Sequence, residues 1–183
     1  MQNVSTRTLH RWPLNQFNGE PAPSLFQKIL LTTDGTVTEL LALYTGQSIS
    51  ARKVSQSLVK GGAAPAALCC APDEPVLHRT IVLGPLEGSE LIFAESFFVF
   101  GFFSPVIQRS LMETDLPIGL LWRQDRVEMF REVIERGVEQ SAPVASLLKV
   151  PDDTPLFSRT YALSHDRKPF GLITEKFAHT AYR

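Results

Sequence analysis

The chain has 183 residues, with 18 Lys plus Arg, 19 Asp plus Glu, a formal net charge of -1 and 44% hydrophobic residues. This length and composition predict one globular domain with a substantial core, and they exclude a disordered or fibrous chain. A net charge near zero argues against nucleic acid as a partner, because affinity for a polyanion comes from neutralising phosphates with a basic surface.

The N-terminal segment, residues 1–23, is predicted to be a polar extension rather than a targeting segment. Its first 19 residues contain no continuous apolar run of the kind that a signal peptide needs. The two cysteines, Cys69 and Cys70, are adjacent and so cannot join distant segments through a disulfide. We therefore expect a cytoplasmic protein with free thiols.

The clearest helix signal begins at Thr36. A threonine N-cap followed by Glu39 three residues later forms a capping-box pattern, apolar residues follow, and Gly46 stands just past them. This pattern predicts a helix over about 37–44, after a turn at 33–36. The apolar residues just before that turn are expected to pack against the core.

Strand-like segments alternate with turns along the rest of the chain. Residues 47–58 predict a strand with a polar outer face, and residues 60–75 predict a surface loop rich in Gly, Ala and Pro. Short turns join two predicted antiparallel pairs, which are 76–83 with 91–100 and 156–163 with 169–177.

Two helices are predicted between these hairpins. One begins at the Ser104-Pro105 cap and runs to about Glu113. The other covers about 125–136, where apolar residues recur at helical spacing before Gly137. Hairpins with helices inserted between them predict an α+β fold, with a single domain over residues 1–183 built on an antiparallel sheet.

The longest apolar run is LIFAESFFVFGFFS at residues 91–104, which holds six of the twelve phenylalanines. Glu95, Ser96 and Gly101 interrupt it, and it is well short of the ~20 residues that a membrane-spanning helix needs. This favours a buried strand with its exit loop over a surface patch that touches a membrane or an apolar partner. No stable membrane insertion is expected.

Charged residues fall on the apolar faces of the predicted strands. Arg79 shares its face with Leu77 and Ile81, and the opposite face of that strand is predicted to be the solvent side. By the same alternation, Glu175 and Arg159 also point toward the core. Because an unpaired buried charge costs several kcal/mol, these groups either pair with each other or form the ends of a pocket, and alternation alone leaves both open.

A pocket with a cationic end and an acidic end would suit a small anion that carries a hydroxyl group. The sequence offers little competing chemistry. Its four histidines are scattered without helical ligand spacing, and it has no phosphate-binding glycine loop and no G-x-S-x-G motif. No metal site is expected.

Five segments, in order, carry a family resemblance: TDGTVTELL at 33–41, LHRTIVL at 77–83, AES at 94–96, ETDLPIGLL at 113–121 and RKPFGLITEKF at 167–177. Through them the chain resembles the chorismate pyruvate-lyases, also called 4-hydroxybenzoate synthases, in the divergent branch found in actinobacteria and cyanobacteria. The resemblance covers about residues 24–177.

The resemblance implies a single α+β domain whose helical flaps cover a buried pocket, and an enzyme that eliminates pyruvate from chorismate to give 4-hydroxybenzoate. The product would serve ubiquinone, plastoquinone or phenolic-lipid biosynthesis, with no cofactor and with a monomer as the active form. The family's ligand-binding arginine falls on Arg79 and its acidic residue on Glu175. Two positions that contact the ligand through main-chain groups match Val37 and Ile118, and Arg159 is a further candidate for the side-chain carboxylate.

Two other functions stay open. A non-catalytic ligand-binding module is one, since effector domains of some transcription regulators resemble this fold. Such domains usually follow a DNA-reading helix-turn-helix, for which the 23 residues before Ser24 are too few. The other is a pigment-binding or membrane-associated protein that uses residues 91–104.

Overall fold

The computed structural model describes residues 21–113, 118, 122 and 128–182. In this part of the chain, six strands form one antiparallel sheet in the order β1-β2-β3-β6-β5-β4. The strands are β1 (Ile49–Lys60), β2 (Pro75–Pro85), β3 (Ile92–Val99), β4 (Phe130–Glu139), β5 (Leu156–His165) and β6 (Lys168–Ala178). The helices described are α1 (Leu25–Thr32), α2 (Val37–Thr45), α3 (Pro105–Glu113) and α4 (Ala142–Leu148).

The predicted fold class, an α+β domain on an antiparallel sheet, is confirmed, as are both hairpins and the helices α2 and α3. Helix α2 ends at Gly46, whose left-handed φ of 67° suits a residue without a side chain. The capping box predicted at Thr36 is wrong, since the Thr36 side chain makes no cap hydrogen bond. A capping box lies instead at the start of α1, where Ser24 and Gln27 accept hydrogen bonds from each other's backbone N–H groups.

The helix predicted over about 125–136 is also wrong where it can be checked, because residues 130–139 form strand β4. Its apolar residues fit a helical period, yet Phe130 and Ile134 are 67% and 41% exposed, so no apolar helix face is buried here. Pairing along β5 decides the conformation, since it satisfies the backbone groups of both strands. Residues 125–127 lie outside the described residues, as do residues 1–20 and the positions on either side of Ile118.

The face of the sheet that was expected to meet solvent is largely covered. Val82 is buried under α4, a helix that the sequence analysis did not predict, and Val76 is buried under Leu68. Leu68 belongs to the predicted surface loop 60–75, which forms two short 3-10 turns against the sheet. Apolar packing covers this face of the sheet. The opposite face, which carries Arg79, is covered by other helices, and the candidate site lies between them and the sheet.

Two apolar clusters cover that opposite face. One packs α1 and α2 against the sheet around Leu41 and Phe177. The other packs α3 and Trp122 against the sheet around Phe98 and Phe170, and it absorbs much of the Phe-rich segment as core. No helix among the described residues is both long and apolar enough to span a bilayer. The space between the two clusters becomes the cavity described below.

Candidate functional site

The site is built on two neighbouring rows of residues that run across the sheet on one face. The strand registers align Arg79, Ser96, Ile173 and Tyr161 in one row. They align Ile81, Ala94, Glu175, Arg159 and Arg136 in the next. Directly opposed residues of antiparallel strands share a face, so both rows point to the same side of the sheet.

Both rows carry charged side chains that are buried. Arg79 and Arg159 are each only 1% exposed, and Glu175 is 5% exposed. Arg79 and Glu175 lie one row apart on strands separated by β3, which corresponds to about 12 Å between their Cα atoms in a regular sheet. Both side chains face the cavity between the two apolar clusters.

This cavity encloses about 630 Å³ of space, including the part that opens to solvent. Its floor comes from β2, β3, β5 and β6, and the start of α2 forms one wall through Thr36, Val37 and Thr38. Ile118 and Trp122 also line it. Most of the lining is apolar, so polar interactions deep inside the cavity are stronger than at the surface.

Glu175 is held on both carboxylate oxygens. Arg159 donates from Nε to Oε2 at 2.8 Å, and the Tyr161 hydroxyl donates to Oε1 at 3.1 Å. Each oxygen has a second lone-pair direction, so the carboxylate can still accept a hydrogen bond from a ligand. Of the two alternatives left open by the sequence, mutual pairing therefore holds for Arg159 and Glu175.

Tyr161 is fixed as a hydrogen-bond donor. Burial raises the pKa of its phenol far above the usual range, and the Glu175 charge raises it further. Two guanidinium groups also lie over the ring, with the Cζ atoms of Arg131 and Arg159 at 5.0 and 5.1 Å from its centroid. The phenol therefore stays protonated, and it orients the Glu175 carboxylate by donating a hydrogen bond to it.

The wall formed by α2 is anchored to the sheet by three arginines. Arg159 donates to the Thr33 carbonyl at 2.6 Å, and Arg136 donates to the Leu31 carbonyl at 2.6 Å. Arg131 donates from Nη1 to the carbonyls of residues 34 and 35, both at 2.7 Å. Cations at these carbonyls also suit the negative end of α1. The turn between α1 and α2 is therefore fixed by charge-assisted hydrogen bonds.

The turn leads directly into the first turn of α2. Backbone N–H groups at a helix start have no acceptor within the helix, and those of α2 begin at Val37 on the cavity wall. This end of the helix therefore offers hydrogen-bond donors and a partial positive charge to an anion in the cavity.

Four of the residues singled out from the sequence, Arg79, Val37, Ile118 and Glu175, line this one cavity. Arg159 stands behind Glu175 and binds its carboxylate. Sequence reasoning missed three lining residues, Arg131, Trp122 and Tyr161. Arg131 was missed because its segment was predicted as a helix, to which strand alternation does not apply. Tyr161 was found on the inward face beside Arg159 but was given no role.

The described residues contain no group of three or more His, Cys, Asp or Glu side chains that could hold a metal ion. The cysteines Cys69 and Cys70 are free thiols. They lie in the 60–75 loop, on the face of the sheet opposite the cavity.

A family model and a curated protein that are similar in sequence to this chain are both described as lyases. A family model described as "Chorismate pyruvate-lyase Rv2949c-like" matches residues 31–183. A curated relative from Methanocaldococcus jannaschii, "Putative lyase MJ0807", is 26% identical over 157 residues, which cover 83% of this chain and 77% of that protein.

Solved structures with the same fold include domains of transcriptional regulators. The effector domain of PhnF from Mycobacterium smegmatis matches with a TM-score of 0.63 at 17% identity, covering 80% of this chain and 90% of that chain. The C-terminal domain of the histidine utilization repressor from Pseudomonas syringae pv. tomato matches with a TM-score of 0.59 at 14% identity, covering 74% of this chain and 94% of that one.

A PhnF structure from Mycobacterium smegmatis matches with a TM-score of 0.62 at 18% identity, covering 80% of this chain, but this chain spans only 64% of that protein. Identities this low establish the fold alone. The family model, in contrast, covers most of the sequence, including every residue of the cavity named above. The chain therefore belongs to the Rv2949c-like chorismate pyruvate-lyase family.

Proposed function

We propose that this protein is a chorismate pyruvate-lyase, which eliminates pyruvate from chorismate and leaves 4-hydroxybenzoate. The observation that carries the proposal is the cavity itself, in which a buried arginine and a buried glutamate face one apolar space. Family membership supports the reaction class. The cavity supports a substrate that combines an anionic group, a hydroxyl group and a ring.

Arg79 is proposed to bind the ring carboxylate. A guanidinium presents parallel N–H donors that match the two oxygens of a carboxylate, and burial strengthens the contact. The N–H groups at the start of α2, near Val37, supply further donors, and Ile118 contributes to the wall of the ligand site. Together these groups would hold the ring in a single orientation.

Glu175 is proposed to accept a hydrogen bond from the ring hydroxyl and to assist proton movement. In the reaction a proton leaves the ring carbon that bears the hydroxyl, the ether C–O bond breaks, and the departing enol of pyruvate takes up a proton. The ring becomes aromatic in that step, so the protein mainly has to orient the substrate and stabilise moving charge. No cofactor or metal is required by this scheme.

Arg159 is better suited to positioning Glu175 than to binding the substrate's side-chain carboxylate, the role considered for it from sequence. Its Nε and Nη1 atoms are already engaged by Glu175 and by the Thr33 carbonyl. We also propose that the protein acts as a monomer in the cytoplasm and that its product enters quinone or phenolic-lipid synthesis.

A non-catalytic binding module is the second candidate. The likeness to effector domains of regulators favours it, because the same fold then serves ligand binding alone. The two candidates differ in one observable. A binding module would retain chorismate unchanged, whereas the lyase would release pyruvate and 4-hydroxybenzoate in equal amounts.

The experiment mixes the full chain with chorismate and follows pyruvate by a coupled dehydrogenase assay and 4-hydroxybenzoate by chromatography. Arg79→Ala and Glu175→Gln should each lower kcat/KM by about 100-fold or more, since each removes a charge that contacts the reacting substrate. Arg52→Gln and Glu90→Gln are the matched controls, because these residues form an ion pair away from the cavity. Full turnover in both cavity variants would exclude this site, and chorismate bound without turnover would favour the binding module.

A further inference from the structure

Arg131 has a place in the cavity that the proposed reaction does not yet use. It projects from β4, at the edge of the sheet, and lines the same cavity as Arg79. Four strand spacings separate β4 from β2, about 19 Å between strand axes in a regular sheet. The cavity is therefore flanked by a cationic side chain at each end, with Glu175 between them in the strand order.

The guanidinium of Arg131 is only partly engaged by the described residues. Its Nη1 donates to the two turn carbonyls, of Asp34 and Gly35. Its Nε is buried and has no hydrogen-bond partner in the part of the chain that the structure describes. A buried donor without an acceptor, on a side chain that lines a ligand cavity, calls for an acceptor, because leaving it unsatisfied costs free energy.

Nε and a neighbouring Nη are the two donors with which an arginine binds a carboxylate side-on. We propose that Arg131 binds a second carboxylate of the ligand, so that the cavity selects dianions that carry one carboxylate on a ring and the other on a side chain of that ring. The proposal rests on the proposed function for the identity of the natural ligand, chorismate, whose enolpyruvyl group carries that second carboxylate. It deepens that function by assigning this carboxylate to a residue on β4.

The same guanidinium ties ligand binding to the wall of the cavity. Arg131 holds the carbonyls of Asp34 and Gly35, directly before the α2 residues that line the cavity. A carboxylate bound to Nε and the turn before α2 would therefore be held by the same guanidinium. Arg136 holds the end of α1, next to the same turn, through the Leu31 carbonyl but does not line the cavity, which makes it the matched control.

The test compares two ligands that differ only in the second carboxylate. The aromatic ether 3-(1-carboxyvinyloxy)benzoate carries both carboxylates and cannot gain aromaticity by losing pyruvate, so it stays intact. In 3-(prop-1-en-2-yloxy)benzoate a methyl group replaces the second carboxylate. Titration calorimetry on the full chain gives a dissociation constant for each ligand in the wild type, Arg131→Gln, Arg131→Lys and Arg136→Gln.

We expect Arg131→Gln to weaken the dicarboxylate by about 10- to 100-fold, the loss of one charge-assisted contact, and the monocarboxylate by less than about threefold. Arg131→Lys should regain part of the loss, since it keeps the charge but not the fork of donors. Arg136→Gln should leave the ratio of the two constants unchanged. This ratio does not depend on the folded fraction, so a loss of stability does not imitate the result.

Equal weakening of both ligands by Arg131→Gln, or the same change of ratio in Arg136→Gln, would overturn the assignment while leaving the lyase intact. A wild type that forms no pyruvate from chorismate, yet prefers the dicarboxylate through Arg131, would overturn the lyase and keep the assignment. Failure of the wild type to bind either ligand would overturn the assignment, and it would overturn the lyase as well if the wild type also formed no pyruvate from chorismate.

Discussion

Replacing Arg159 by methionine should destabilise the protein strongly, because it leaves the Glu175 carboxylate buried with Tyr161 as its remaining described donor. Removing one partner of a buried ion pair costs about 3–5 kcal/mol. The total free energy of unfolding of such a domain is about 5–15 kcal/mol, so this single change should remove a large part of the stability. At about 2–4 °C per kcal/mol, the melting temperature should fall by roughly 6–20 °C.

The decisive measurement is a double-mutant cycle with Glu175→Leu. That change alone should be similarly costly, because it leaves the Arg159 guanidinium buried without its carboxylate. The double variant Arg159→Met/Glu175→Leu should be more stable than the sum of the single losses predicts, by about 3 kcal/mol or more, since no buried charge of this pair remains. A residual loss of about 1–3 kcal/mol is expected, because the Tyr161 hydroxyl loses its acceptor.

The assay is urea unfolding followed by tryptophan fluorescence, with the midpoint and the slope determined for all four proteins. A change of midpoint at constant slope reports stability, whereas a changed slope would report a change in the compactness of the denatured or native state or a loss of two-state unfolding. Single variants that each cost less than about 1 kcal/mol, or losses that simply add in the double variant, would refute the reasoning. Either result would mean that water or another group solvates Glu175 in the folded protein.

Two further predictions concern the framework around the site. Burial raises the pKa of Tyr182, so its contribution to stability is complete below about pH 10, the ordinary pKa of tyrosine, and is lost as the pH rises further. Tyr182→Phe should therefore flatten the fall of the urea midpoint between about pH 10 and pH 11.5, roughly the range of the unfolded-state titration, and a curve equal to that of the wild type would contradict this. Gly61→Ala should lower stability by about 2 kcal/mol or more, because its Cβ would meet the main-chain oxygen of Ala71, whereas Gly62→Ala has room and should change the midpoint little; similar losses in both would contradict the packing argument.

The pairing of Arg159 with Glu175 shows where sequence reasoning stops. Strand alternation is local, so it correctly placed both side chains toward the core. The β5–β6 hairpin turns at Asp166 and Arg167, both with positive φ, and it closes with His165 opposite Lys168. Continued without interruption, that register would set Arg159 opposite residue 174.

A one-residue shift between Leu163 and Ser164 sets Arg159 opposite Glu175 instead. Because a shift of one residue exchanges the two faces of a strand, this irregularity brings the two inward charges together. The sequence carries no clear signal for it. The structure places it within the hairpin that forms one side of the site.

Strand β4 shows a second limit. Its apolar residues satisfy a helical period as well as a strand's, and over about ten residues such a pattern does not separate the two. Pairing with β5 selects the strand, and this choice turns Arg131 toward the cavity. The residue on which the dianion proposal rests therefore becomes visible only in the folded chain.

By itself, the sequence determined the fold class, both hairpins and the inward direction of Arg79, Arg159 and Glu175, because turn residues and strand alternation act over a few positions. The near-zero net charge gave no sign of these buried charges, and the proposed anionic ligand follows from their placement rather than from their sum. Only the tertiary structure decided which charges meet. Contacts such as that of Arg159 with Thr33, 126 residues away, depend on strand order and register, which no local pattern specifies.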